Sequence, residues 1–194
     1  MKLIIGIGNS GKKYERNRHN AGFMVIDTFV SQISNEFSDL KFQLSKKGKT
    51  LFLKFKTGGN TVEFLKPQTF MNDSGFSVAY ARNKHKIALE DIYVVHDDLD
   101  IKLGEYKTQK GKGPRDHKGL LSIYEKLGSK DFWHVRVGVD NRDIRSTDHG
   151  LRTTVSIPGE KYVLQNFTDE EMQILESVID RIVKDLYGRI KTSS

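Results

Sequence analysis

The run Lys2-Leu3-Ile4-Ile5-Gly6-Ile7 constrains the fold most, being apolar at nearly every position, too short for a helix and stopped by glycine. A short, β-branched apolar run of this kind reads as a buried strand. Ile92-Tyr93-Val94-Val95, within residues 91–96, reads as a short central strand of the same type. Between and after these runs the period changes. Phe23, Ile26, Phe29, Val30 and Ile33 recur at helical spacing and predict an amphipathic helix over about residues 20–35. Residues 50–56 and 61–66 read as two strands joined by Thr57-Gly58-Gly59-Asn60, a good hairpin turn. A helix is expected over 74–85, a strand over 104–109, a helix capped by Asp116 and stopped at Gly128, and a strand over 133–139. Thr168 and Glu171 form a capping box ahead of Met172, Leu175, Val178, Ile179, Ile182, Val183 and Leu186.

This alternation predicts an α/β fold: one domain over residues 1–190, with a mixed, mostly parallel sheet flanked by helices. Residues 191–194 read as a flexible tail. A length of 194 residues suits one substantial core. No apolar run approaches the roughly 20 residues that span a bilayer, so no membrane partner is expected. With no cysteine, disulfide and thiolate chemistry are excluded. The net charge of +7 is modest, but the basic residues cluster. Lys12, Lys13, Arg16 and Arg18 crowd one loop, Lys46, Lys47 and Lys49 another, and Lys107, Lys110, Lys112, Arg115 and Lys118 a third. Such clusters favour a polyanion, nucleic acid above all, over charge kept for solubility alone.

Three segments place polar groups where strands are expected to end. They are residues 9–20 (with Asn9, Tyr14, Arg18 and His19), residues 70–75 (with Met71 and Asn72), and His96-Asp97-Asp98-Leu99-Asp100. Ligands gather at the carboxyl ends of strands in open α/β sheets, so a histidine and an aspartate from different loops can meet there. A His–Asp pair without a serine or cysteine nucleophile suits general-base activation of water, and the Asn72 amide can donate to an oxyanion or position the water. The bland readings are a structural histidine at a helix start and solvated turn carboxylates. A hard cation on the aspartate cluster is a further reading, though no calcium-type loop follows it, and no metal is expected. Gly6-Ile7-Gly8-Asn9-Ser10-Gly11 meets the dinucleotide-binding pattern in letters only. A charged stretch separates it from the helix, and Asp27 falls inside that helix, not after a second strand.

In these segments the sequence resembles the bacterial peptidyl-tRNA hydrolases. The likeness rests on Gly6-Ile7-Gly8-Asn9 with Tyr14, Arg18-His19-Asn20-Ala21-Gly22, the stretch from Lys66 to Gly75, His96-Asp97-Asp98-Leu99-Asp100, and Arg136-Val137-Gly138. The resemblance implies hydrolysis of the ester joining a stranded peptide to tRNA, with peptidyl-tRNA as partner and no cofactor. It implies His19 as base and Asp97 as its partner, with Asn9 and Asn72 holding the ester and the attacking water. Tyr14 would sit at the tRNA 3′ end, Met71 in the peptide groove, and Arg136 with Lys107 near phosphates. The expectation is a monomer acting in the cytoplasm. One departure stands out. The family usually carries His-Asn-Gly after a glycine-rich loop, and here His117-Lys118-Gly119 follows Gly113-Pro114-Arg115-Asp116. Lysine donates only, whereas an amide donates and accepts. Water positioning would suffer while attraction to the tRNA phosphates would strengthen, and Lys118 is counted among the tRNA-binding residues. A hydrolase-like RNA binder without catalysis is therefore the rival reading, opposed by the joint presence of Asn9, His19, Asn72 and Asp97.

Overall fold

The computed structural model describes residues 1–37, 39–142 and 157–191. In chain order the elements are β1 (Lys2–Gly6), α1 (Ala21–Ile33), β2 (Gln43–Ser45), β3 (Thr50–Thr57), β4 (Asn60–Pro67), α2 (Ser74–His85), β5 (Ile92–Lys102), β6 (Tyr106–Lys110), α3 (Lys118–Leu127), β7 (Trp133–Asp140), α4 (Gly159–Tyr162) and α5 (Asp169–Lys191). The seven strands form one sheet in the order β2-β3-β4-β1-β5-β7-β6. Its centre, β4-β1-β5-β7, is parallel, and the flanking pairings are antiparallel.

The β1 run works as its composition requires. Successive side chains of a strand point to opposite faces. Leu3, Ile5 and Ile7 join a core with Val78 and Ala81 of α2 and Leu120 and Ile123 of α3. Ile4 faces the other layer, where Val25, Ile26 and Phe29 of α1 pack with Leu175, Ile179 and Ile182 of α5. The expected α/β domain with helices on both faces is therefore what forms.

Local chemistry accounts for the element ends. The two-residue turn Gly58-Gly59 has φ of 55° and 77°, the left-handed pair that a tight hairpin demands. The capping box closes as expected: the Glu171 amide donates to Thr168 Oγ1 at 3.2 Å, and the Thr168 amide donates to Glu171 Oε2 at 2.9 Å. Three expectations need correction. His117, not Asp116, caps α3, its Nδ1 accepting from the amides of Gly119 and Leu120. β5 does not stop at residue 96 but runs through His-Asp-Asp-Leu-Asp to Lys102, because β7 continues to pair with it. Lys191 belongs to α5, not to a tail, and residues 192–194 lie outside the described residues. β2 and α4, three and four residues long, show no readable period. Among the described residues no helix is long and apolar enough to cross a membrane.

The β1–α1 contact explains two glycines near the site. A Cβ on Gly22 would lie 2.3 Å from the Val95 carbonyl oxygen and 2.6 Å from that of Ile7. One on Gly6 would lie 2.3 Å from the Gly22 carbonyl oxygen. All three are backbone atoms of packed elements and cannot yield cheaply. Gly22→Ala is expected to lower stability by about 3 kcal/mol, read as a lower urea midpoint at unchanged slope. A midpoint equal to that of the parent protein would contradict this packing.

Candidate active site

β5 outruns its neighbour. Its pairing with β1 ends at Gly6 opposite Val95, while its pairing with β7 continues through His96, Asp97 and Asp98. Asp97 thus sits past the end of the adjoining strand, where helix starts from both layers reach it. The turn Arg18–Asn20, immediately before α1, brings His19, whose Nδ1 lies 2.9 and 3.0 Å from the two Asp97 oxygens. From the other layer His117 brings its Nε2 to 2.9 Å from Asp97 Oδ1. All three residues are buried, Asp97 to 2% exposure.

The hydrogen bonds assign the protons. His117 Nδ1 accepts from two backbone amides, so the hydrogen of this ring sits on Nε2 and is donated to Asp97. Burial would push the Asp97 carboxyl up, but His19 and His117 hold it well below the usual carboxylate range. An ionised carboxylate only accepts, so His19 Nδ1 donates, and the neutral ring keeps its lone pair on Nε2. Burial pushes the His19 pKa down. The charge and hydrogen bond of Asp97 outweigh it, the net direction is upward, and Lys118 pulls back. A carboxylate-oriented imidazole of this kind is equipped to take a proton from water.

The pair lies in a cleft of about 970 Å³ that is also lined by Asn9, Tyr14, Met71, Asn72 and Lys118. Asn9 is held rigidly. Its amide donates to Asn20 Oδ1 at 2.9 Å, Asn20 Nδ2 donates back to its carbonyl at 3.0 Å, and its own Oδ1 accepts from the Met71 amide at 3.1 Å. With Oδ1 so used, Nδ2 is the end left to donate into the cleft. Asn72, the exposed residue of the turn Met71–Asp73, presents a second amide. The facing wall is the segment from Pro158 to Leu164.

A sequence model described as Peptidyl-tRNA hydrolase matches residues 3–193. The peptidyl-tRNA hydrolase of Desulfitobacterium hafniense is 38% identical over 184 residues, covering 95% of this chain and 90% of the relative. That of Geotalea uraniireducens is 43% identical over 188 residues, covering 94% and 86%. The chain belongs to the peptidyl-tRNA hydrolase family. The crystal structure of the peptidyl-tRNA hydrolase from Acinetobacter baumannii superposes with a TM-score of 0.77 at 28% identity, covering 95% of this chain and 85% of that one. This protein is accordingly a hydrolase of the ester bond in peptidyl-tRNA, and neither its geometry nor its relatives favour a non-catalytic RNA binder.

Of the residues singled out in the sequence, Asn9, Tyr14, His19, Met71, Asn72, Asp97 and Lys118 all line the cleft of this hydrolase. Arg136 and Lys107 do not. They face each other across β7 and β6. Arg136 is largely committed, its Nε 2.7 Å from Asp98 Oδ2 and its NH1 2.9 Å from Gln109 Oε1. Asp97 and Asp98 therefore serve different partners and are buried, Asp98 to 1% exposure, whereas Asp100 at the outer end of the run is exposed. Arg18 also departs from its grouping with the basic loop. It is buried in an ion pair with Glu171, lies 4.2 Å from the Tyr162 ring centroid, and donates to the Asn166 carbonyl. Together with the His19 amide, which donates to the Val163 carbonyl, it bolts the His19 turn to the 162–171 segment. Sequence reasoning overlooked His117 as a site residue. Its signal was a histidine placed directly before a helix at the end of a basic loop.

Behind His117 lie two further buried histidines. His96 donates from Nδ1 to the Asp97 carbonyl and is pushed well below the ordinary histidine pKa by burial and then by His117 and His134. Burial lowers His134 to about 4. Both bind protons more weakly folded than unfolded. For His134 the effect is therefore a stability present in full above the unfolded value of 6.5 and lost as pH falls from there toward about 4, and His96 acts in the same sense; the raised His19 works in the opposite sense. His134→Phe, stacked as it would be on Phe132, should make the acid-side fall in stability shallower by up to about 1.4 kcal/mol per pH unit. Urea unfolding between pH 4.5 and 6.5 reads it, and parallel curves for parent and variant would contradict it.

Proposed function

We propose that His19 is the general base of this peptidyl-tRNA hydrolase and Asp97 the group that orients it. The observation carrying this reading is the contact of 2.9 Å between His19 Nδ1 and the buried Asp97 carboxylate inside the cleft. Water attacks the carbonyl carbon of the ester between peptide and 3′-terminal ribose, and its proton passes to His19 Nε2. The amide donors of Asn9 and Asn72 stabilise the resulting oxyanion. Collapse breaks the bond to the ribose oxygen, which takes the proton back from the imidazolium. A free peptide carboxyl and a reusable tRNA result. His117, donating to Asp97, keeps that carboxylate from rotating away from His19.

Around this centre, Tyr14 would meet the 3′ end of the tRNA and Met71 would floor the peptide groove, since both line the cleft beside His19. Lys107 is exposed on β6 and, with Arg136 opposite it, would face phosphates further along the acceptor stem. We read the enzyme as a monomer acting in the cytoplasm, where its substrate is made. The lysines at 107 and 110 on edge strand β6 discourage strand-to-strand association. Light scattering at micromolar concentration should return the mass of a single chain, 22.2 kDa.

His19→Ala should lower single-turnover cleavage of N-acetylaminoacyl-tRNA about a thousandfold, with tRNA affinity and melting temperature little changed. Cleavage at the parent rate would assign the base elsewhere. The base must be neutral to act and its pKa is raised, so kcat/KM should rise with pH through one ionisation centred above 6.5. Asp97→Asn should move that midpoint downward as well as slowing the reaction. A variant whose midpoint stayed in place would remove Asp97 from its role.

A further inference from the structure

Lys118 stands at the first position of α3 and lines the cleft with His19, Asn9 and Asn72. Across the mouth its ammonium lies 3.7 Å from a carboxylate oxygen of Glu160 on α4, and both side chains are mostly exposed, 65% and 72%. An ion pair so exposed contributes little and exchanges readily for a better partner. The start of α3 is also a poor anion site in its own right. The amides of Gly119 and Leu120 are already taken by His117 Nδ1, so positive charge at this wall must come from a side chain.

The ester that reaches His19 brings anions with it. The phosphate on the 5′ side of the terminal nucleotide is the charged backbone group nearest the scissile bond, and docking carries it toward the mouth of the cleft. A lysine there is a cation with three donors and no acceptor. It is unsuited to the give-and-take of holding a water and suited to a phosphate oxygen.

Resting on the hydrolase reading of the cleft, we propose that Lys118 is a substrate-gripping residue that leaves Glu160 for a phosphate of the 3′-terminal nucleotides when peptidyl-tRNA docks. Glu160 is then a resting partner that keeps the ammonium aimed across the mouth and competes with the substrate for it. The proximity of Lys118 to His19 has a second effect. The ammonium opposes the upward pull of Asp97 on the imidazole, so neutralising it with phosphate makes His19 a stronger base once substrate is seated. The groups facing His19 are Asp97 from β5 and His117 and Lys118 from the start of α3, with Glu160 of α4 facing Lys118 in turn.

The test uses the full chain and N-acetylaminoacyl-tRNA, comparing the parent with Lys118→Asn, Lys118→Arg and Glu160→Gln over a series of salt concentrations. Lys118→Asn should raise KM about tenfold with kcat within about twofold, as loss of one charge-assisted contact implies. The slope of log(kcat/KM) against log salt should become shallower by about 0.7, one single-strand phosphate contact. Lys118→Arg should restore both, and Glu160→Gln should lower KM. An unchanged slope in Lys118→Asn, or failure of a normally folded Lys118→Arg to restore it, overturns the proposal while cleavage by the parent leaves the hydrolase reading intact. Absence of cleavage by the parent protein overturns both.

Discussion

A single buried carboxylate organises this enzyme. Asp97 is almost wholly removed from solvent yet held in its ionised form, a state that burial opposes and that two hydrogen-bond donors make tolerable. His19 and His117 supply those donors from opposite sides of the sheet. The requirement reaches far into the fold. One strand must run past its neighbour, one helix must begin on each face at that level, and each beginning must end in a histidine. Loss of either partner would leave a buried anion half satisfied, so the pressure to keep the set is structural as well as chemical.

The surroundings hold these groups still. Gly6 and Gly22 let the start of α1 press against β1 and β5 backbone to backbone, which sets the height of the His19 turn above Asp97. Asn9, Asn20 and Met71 are joined by three hydrogen bonds that leave the donor end of the Asn9 amide free toward the cleft. Arg18, neighbour of the proposed base, is pinned by Glu171 and the Tyr162 ring. Donors fixed in place before the substrate arrives need no reorganisation as charge develops, and such preorganisation is the larger part of what a site of this type supplies.

Much of this was legible in the chain. The apolar run of β1, the glycine pair at the hairpin and the Thr168–Glu171 box each carry a local physical signal, and each element formed where that signal lay. His19 and Asp97 could be paired because both stand where strands hand over to polar residues, and because the family resemblance named them. What stayed hidden depends on partners distant in sequence. Nothing near residues 96–102 says that β7 will keep pairing there and turn an expected loop into strand. Nothing near Arg18 distinguishes it from the exposed lysines beside it, since the ion pair that buries it is formed 153 positions away. The cleft wall from Pro158 to Leu164 has too short a helix to leave a period.

The bolt between Arg18 and Glu171 also sets a timetable. Every side chain given a part at the scissile ester lies within the first 118 residues, but the turn that carries His19 is fastened by carbonyls and a carboxylate between positions 163 and 171. During synthesis the chain is itself a peptide esterified to tRNA, the very linkage the finished protein cuts. A chain that has not yet reached position 171 lacks the carbonyls and the carboxylate that fasten the His19 turn, so the site is complete only once that distal segment packs back onto it.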